Sequence, residues 1–214
     1  MAGLVASFGS GAMTNSIDEF EDADCILITG SNTTENHPLI ANRILRAQEK
    51  GAKVIVIDPR KTQIGDLADI YARQNLGSDV AWLNGLINVI ISEGWYDKEF
   101  VSGRTEGFEE LKAKVADYTP DKIEQISGIP AATIKQIAEA YAKAENGSIV
   151  YCMGITQHIS GTDNVMSLAN LAMVTGNVGK RSTGVNPLRG QNNVQGACDL
   201  GALPNVFTGY QAVI

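Results

Sequence analysis

The chain has 214 residues, of which 44% are hydrophobic, and a formal net charge of −7. That is enough material for one substantial core with room for a second lobe. An acidic balance without any basic stripe excludes a nucleic-acid surface, and no run reaches the roughly 18 apolar residues needed to span a bilayer.

The N-terminus lacks the basic-then-apolar pattern of a signal peptide. Cys25, Cys152 and Cys198 are far apart and contain no C-x-x-C pair. They read as small buried hydrophobes in a reducing compartment, not as a disulfide framework, zinc site or cluster site. With only His37 and His158 in the sequence, no histidine-based metal centre is expected, and no metal ligand is assigned.

Residues 1–15 are small and glycine-rich, and Ser16 to Glu19 starts an acidic helix with capping-box spacing. Cys25–Thr29 is a short apolar run ending at Gly30, as expected of a buried parallel strand. A polar turn, Ser31–His37, leads to Pro38, which suits the first position of a helix ending near Gly51. Lys53–Asp58 is a second strand, broken by Pro59, and Ile70–Arg73 a short third. Ser78-Asp79 opens a long helix to about Glu93, with Trp82, Leu86, Val89 and Ile90 on one face.

Glu106–Tyr118, Pro120–Gly128 and Pro130–Ala144 read as three further helices, the last stopped by Asn146-Gly147. Ser148–Cys152 is another buried strand with Gly154 in its exit turn. Thr162–Thr175 is a helix with Leu168, Leu171 and Ala172 inward, followed by the Gly176–Gly179 turn. The alternation predicts an α/β fold: a doubly wound, mostly parallel sheet with helices on both faces, a Rossmann-like variant with a glycine-rich C-terminal tail.

That tail, Gly184–Gly201, holds four glycines, three Asn, two Gln and a single cation, Arg189. Its apolar residues follow neither a helical nor a strand period. Backbone N–H groups and planar amides around one guanidinium suit a small anion or a cofactor with many hydrogen-bonding groups. Open parallel sheets bind ligands beyond the carboxyl ends of their strands. Three such ends carry polar, glycine-containing turns here: Gly30–His37, Asp58–Thr62 and Met153–His158.

Asp58 stands where an acidic residue accepts hydrogen bonds from a nucleotide ribose, or where it makes an Asx turn before Pro59. Asn32 and Glu35 are ligand contacts or caps of the following helix. His37 reads as a turn residue, Arg60 as a partner of the acidic surface, Asp79 as a helix-start carboxylate and Met153 as core. Gly9-Ser-Gly11 follows no strand, so a plain NAD-binding fingerprint is absent and another nucleotide is favoured.

Gly184–Pro204 (GVNPLRGQNNVQGACDLGALP) resembles the active-site segment of the catalytic subunit of molybdenum- or tungsten-dependent formate dehydrogenases. Val56–Lys61, Thr105–Glu110, Tyr118–Pro120, Gly154–Gln157 and Thr175–Lys180 resemble the same family in register. The resemblance implies a metal held between two molybdopterin guanine dinucleotides, one of them along the strand ends of this domain. It implies dinucleotide contacts from Gly30, Asn32, Glu35 and His37. Asp58 and Arg60 would take the guanosine end, near Gly77 and Asp79, and Met153, Gly154 and Gln157 the pterin side, with Gly190 also at the cofactor. Arg189 would orient the formate carboxylate, with Gln191 hydrogen-bonding beside it, while formate becomes carbon dioxide or the reverse.

The resemblance also implies a division into residues 1–183, a pterin-dinucleotide-binding domain, and 184–214, an active-site loop crossing into a neighbouring domain. The family's Cys- or selenocysteine-His metal ligand, its N-terminal motif for a 4Fe-4S cluster and its C-terminal pterin domain have no counterpart in these residues. The chain is therefore expected to be a middle portion of a larger catalytic subunit, without turnover alone. Its implied partners are formate or carbon dioxide, the other domains of the subunit and an electron-transfer subunit, in the cytoplasm unless a twin-arginine signal directs export. The alternatives are another molybdopterin oxidoreductase, a nucleotide-binding module without redox chemistry, and a purely structural domain.

Overall fold

The computed structural model describes residues Met1–Val213. Its centre is a five-stranded sheet built from β1 (Cys25–Thr29), β2 (Lys53–Ile57), β3 (Ile70–Ala72), β4 (Gly147–Tyr151) and β5 (Gly184–Pro187). The order is β3-β2-β1-β4-β5, with every neighbouring pair parallel. The chain winds outward from β1 to β3, then returns to start again at β4, so the strand order reverses between β1 and β4. All residues of β1 and β4 are buried. Strands covered on both faces favour apolar residues on both, which is why Ile26–Ile28 and Ile149–Val150 read as continuous runs rather than alternating ones. The register sets Thr29 opposite both Ile57 and Tyr151, so the chain leaves β1, β2 and β4 at one level.

The helices are α1 (Ala2–Phe8), α2 (Thr33–Asn36), α3 (Pro38–Glu49), α4 (Gln63–Leu67), α5 (Asp79–Ser92) and α6 (Lys98–Arg104). They continue with α7 (Phe108–Val115), α8 (Pro120–Ser127), α9 (Ala131–Ala142), α10 (Met153–Thr156), α11 (Gly161–Val174) and α12 (Val194–Asp199). One face of the sheet packs Leu27, Ile55, Ile57 and Tyr151 against residues of α1, α5, α9 and α11. The other packs Ile26, Ile28, Val54, Val56 and Val150 against Ile40 and Ile44 of α3, with Phe20 and Ile64. The doubly wound α/β architecture is the one the alternating pattern predicts. Among the described residues no helix is long and apolar enough to cross a membrane.

Four local readings change. The acidic helix after Ser16 is a 3-10 segment, Ile17–Asp22, in which the Glu19 carboxylate accepts from the Ser16 N–H at 3.0 Å. α5 buries nearly its whole circumference, not one face, because α8, α9 and α11 surround it; Trp82, Leu83, Leu86, Ile87 and Ile90 are all 0% exposed. α6 is an additional short helix, begun by the Asp97 carboxylate accepting from the Phe100 N–H at 2.8 Å. The first four residues of the glycine-rich tail, expected to be irregular, form β5. Gly, Asn and Pro are poor strand formers, but the open edge of β4 supplies the pairing. Pro187 sits on an edge strand, where a missing N–H is tolerated. Asn186 is fully buried and donates to Ser148 Oγ at 2.9 Å.

Glu19 joins two distant stretches beside β5. Its carboxylate accepts from Asn15 Nδ2 and from the Ser182 N–H, both at 2.8 Å. These bonds, the Asn15 side chain's first, hold its carboxyl down to about 2.

Candidate functional site

Two cavities open at the carboxyl ends of the strands. The first, about 230 Å³, is bordered by Arg189, Gly190, Gln191, Gln157 and Tyr151. The second, about 300 Å³, is bordered by Gly30, Asn32, Asp58, Arg60, Asp79 and Gly154, with Gly77 at its rim. Cys152 and Met153 border both, so a single two-residue wall at the end of β4 separates them. The second cavity lies over the β1–β4 reversal, the place where open α/β sheets hold nucleotides.

The floor of the second cavity is made where two turns meet backbone to backbone. Gly154 N donates to Gly30 O at 3.0 Å. A Cβ on Gly154 would stand 2.6 Å from Gly30 Cα, and one on Gly30 2.7 Å from Gly154 C. Gly30 also has φ +58°, a conformation that disfavours any side chain. Two glycines are therefore required for the exits of β1 and β4 to close on each other.

Asp58 is 5% exposed at the end of β2. Its Oδ1 accepts from the Arg60 N–H at 2.9 Å, which is the Asx turn considered above, and no protein partner is found for its second oxygen among the described residues. The turn thus leaves the second oxygen open to a ligand. Burial pushes the Asp58 carboxyl above its usual range; the Arg60 N–H and guanidinium pull it down, and the Asp79 charge adds to the rise. Asp79 itself accepts from Trp82 Nε1 at 3.3 Å. Asn32 Oδ1 and Gln74 Oε1 are buried without a hydrogen-bond partner among the described residues. Gln74, two residues past β3, borders this cavity and was not singled out from the sequence, where a lone Gln carries no signal.

Arg189 is held at both ends. One guanidinium nitrogen donates to the Gly11 carbonyl, and the Arg189 carbonyl accepts from His37 Nε2 at 2.7 Å. Among the described residues no carboxylate forms an ion pair with it, although carboxylates outnumber cations in the chain. Its remaining guanidinium donors are left for the first cavity. The preceding Leu188 N–H donates to Tyr151 O at 2.7 Å, fixing the approach of the loop to β4. The Tyr151 hydroxyl is buried without a partner. Burial pushes its phenol upward, the nearby Arg189 charge only partly opposing, so it remains protonated. The Cys152 thiol is raised by burial as well.

Gln157 and Gln191 both stand exposed at the rim of the first cavity, and Gln157 Nε2 lies 3.5 Å from Met153 Sδ. Glu35 is exposed on α2 and borders neither cavity; His37 turns instead towards Arg189. Of the three thiols, Cys25 is the most enclosed, pushed up to about 12 by burial, and lies away from both cavities.

Residues 5–213 match the family model for molybdopterin oxidoreductases. The chain belongs to this family. As a molybdopterin oxidoreductase it is 60% identical over 213 residues to the F420-dependent formate dehydrogenase subunit alpha of Methanocaldococcus jannaschii, covering 100% of this chain and 32% of that protein. It is 49% identical over 213 residues to formate dehydrogenase H of Escherichia coli, again covering 100% of this chain and 30% of the relative. Among solved structures, acetylene hydratase from Pelobacter acetylenicus superposes with a TM-score of 0.76 and 32% identity, over 82% of this chain and 24% of that one. The chain spans about a third of the length of the curated relatives it matches.

Proposed function

We propose that this molybdopterin oxidoreductase forms the middle of a formate dehydrogenase catalytic subunit, interconverting formate and carbon dioxide. The observation that carries the proposal is Arg189: a guanidinium without a carboxylate partner among the described residues, anchored at both ends, beside a second cavity of about 300 Å³. A guanidinium offers a planar fork of donors that matches the two oxygens of one carboxylate. Fixing those oxygens aims the C–H bond of formate in one direction and removes the orientational cost of the reaction. Gln191, at the rim, adds a neutral amide hydrogen bond without repelling the anion. Acetylene, by contrast, is uncharged and gives a guanidinium nothing to pair with, which favours formate over the substrate named for the structural neighbour.

The cofactor proposed is a molybdopterin guanine dinucleotide carrying molybdenum or tungsten. The second cavity fits the dinucleotide end. Asp58 Oδ2, Asn32 Oδ1 and Gln74 Oε1 are acceptors without protein donors among the described residues, and guanine and ribose are rich in N–H and O–H groups. Gly30, Asn32, Asp58, Arg60, Gly77 and Asp79 would hold the nucleotide, and Met153, Gly154, Gln157 and Gly190 the pterin side. The metal–pterin group supplies the two-electron chemistry when bound, while the protein supplies position and charge. Within the larger subunit, the segment from Gly184 onward would lead from this sheet into a neighbouring domain. A 4Fe-4S cluster and an electron-transfer subunit would carry electrons away in the cytoplasm.

Replacing Arg189 in the full-length enzyme tests the reading. Arg189→Lys keeps the charge but loses the fork, so the KM for formate is expected to rise and kcat to fall, with pterin content unchanged. Steady-state kinetics indistinguishable from the unmodified enzyme would overturn the assignment.

A further inference from the structure

We infer that His37 is a positioning residue for Arg189, so that the nucleotide-side turn and the anion-binding loop form one mechanical unit. The inference rests on the assignment of Arg189 as the formate anchor. Its basis is the bond from His37 Nε2 to the Arg189 carbonyl oxygen at 2.7 Å, which joins residues 152 positions apart. A carbonyl oxygen only accepts, so Nε2 must carry the proton. In the neutral ring the tautomer is thereby fixed, and Nδ1, buried without a partner, is left bare.

The ring projects from a rigid base. His37 lies at the junction where α2 ends and α3 begins. Its backbone N–H donates to Thr33 O at 2.9 Å, and its carbonyl accepts from the Ile40 and Ala41 N–H groups at 3.0 and 2.9 Å. Pro38 then restricts the backbone on its other side. Upstream, Gly30, Ser31, Asn32 and Asn36 of the same turn border the second cavity. The turn therefore meets the cofactor side with its early residues and the substrate side with its last one.

At the far end of the bond, Arg189 lies in a tail with three nearby asparagines and few apolar anchors. Its backbone is fixed at Leu188 by Tyr151 O and at Arg189 itself by His37. Removing the second tie would let the guanidinium sample orientations that do not match a carboxylate. Such a loss falls mainly on substrate binding and only slightly on the oriented chemical step, because the charge, the donors and the guanidinium tie to the Gly11 carbonyl remain.

The experiment compares His37→Leu, His37→Gln and Arg189→Lys in the full-length, cofactor-loaded enzyme. His37→Leu is expected to raise the KM for formate roughly 3- to 10-fold, the loss of about one hydrogen bond, with kcat within about 2-fold and pterin content per protein unchanged. Equilibrium dialysis of labelled formate should show the same weakening without turnover. His37→Gln, which returns an N–H donor, should recover most of the affinity. A fall in pterin content with unchanged formate affinity per loaded site would make His37 a cofactor contact and overturn the inference. So would equal losses in the Gln and Leu variants, or unaltered formate binding in His37→Leu. If Arg189→Lys is itself silent, the formate-anchor reading fails first; if only the His37 variants are silent, the positioning role alone fails.

Discussion

One oxygen of Asp58 is committed to the Arg60 N–H and the other has no protein donor among the described residues, so a single carboxylate both shapes its turn and borders the cleft. A charged acceptor facing nucleotide donors contributes more than a neutral one. In direct titration with guanosine nucleotides, saturable binding is expected, and Asp58→Ala should weaken it roughly 10- to 100-fold. Equal affinity in the variant would remove Asp58 from the site. That Asp58 and Arg189 stand at the strand-end cavities was legible in the sequence because each has a local signature: an acid at the end of an apolar run, and a lone cation among glycines and amides. Gln74 and the His37–Arg189 bond were not. Their roles depend on which chain segments the parallel register brings side by side, and nothing within a few residues of either announces it.

Among the elements, the apolar runs of β1, β2 and β4 and the proline-led helices α3 and α8 could be read directly, since continuous apolar runs and Pro at the first helical turn have physical causes local to the segment. β5 could not. Gly184, Asn186 and Pro187 argue against a strand, and it exists because β4 has a free edge and Asn186 finds Ser148 beneath it. The exits of β1 and β4 make a sharper demand. An added Cβ on Gly154 would meet backbone, which has no rotamer by which to escape. Gly154→Ala is expected to destabilise the fold by about 1–3 kcal/mol, read as a lower urea midpoint at unchanged slope. A midpoint equal to that of the unmodified protein would show that the two turns do not abut as described.

At the scale of the molecule, Glu19 ties residues 15–19 to the Lys180–Asn186 stretch, closing the sheet's β5 side. Its carboxyl is ordinarily near 4.5 and is held at about 2 in the folded chain. A depressed carboxyl stabilises the fold only while ionised. The contribution is therefore complete above about pH 4.5 and is lost as pH falls from there through about 2. Because Glu19 is only part-buried, screening limits the effect to about 1 kcal/mol. Glu19→Gln should lower stability at pH 6 and flatten the decline between pH 4.5 and 2, measured by urea unfolding at a series of pH values; parallel curves for the two proteins would count against the tie.

The shared wall of Cys152 and Met153 has a consequence for anyone redesigning this protein. A Cβ on Gly190, beside Arg189, would come within 2.8 Å of Met153 Cε, and Met153 borders both cavities. Enlarging the loop would displace the Met153 thioether, and trimming Met153 to relieve it would open the wall between the two cavities. Under the function proposed above, substrate preference and cofactor preference would not be independent design variables: a library that varies one side of Met153 should vary the other with it.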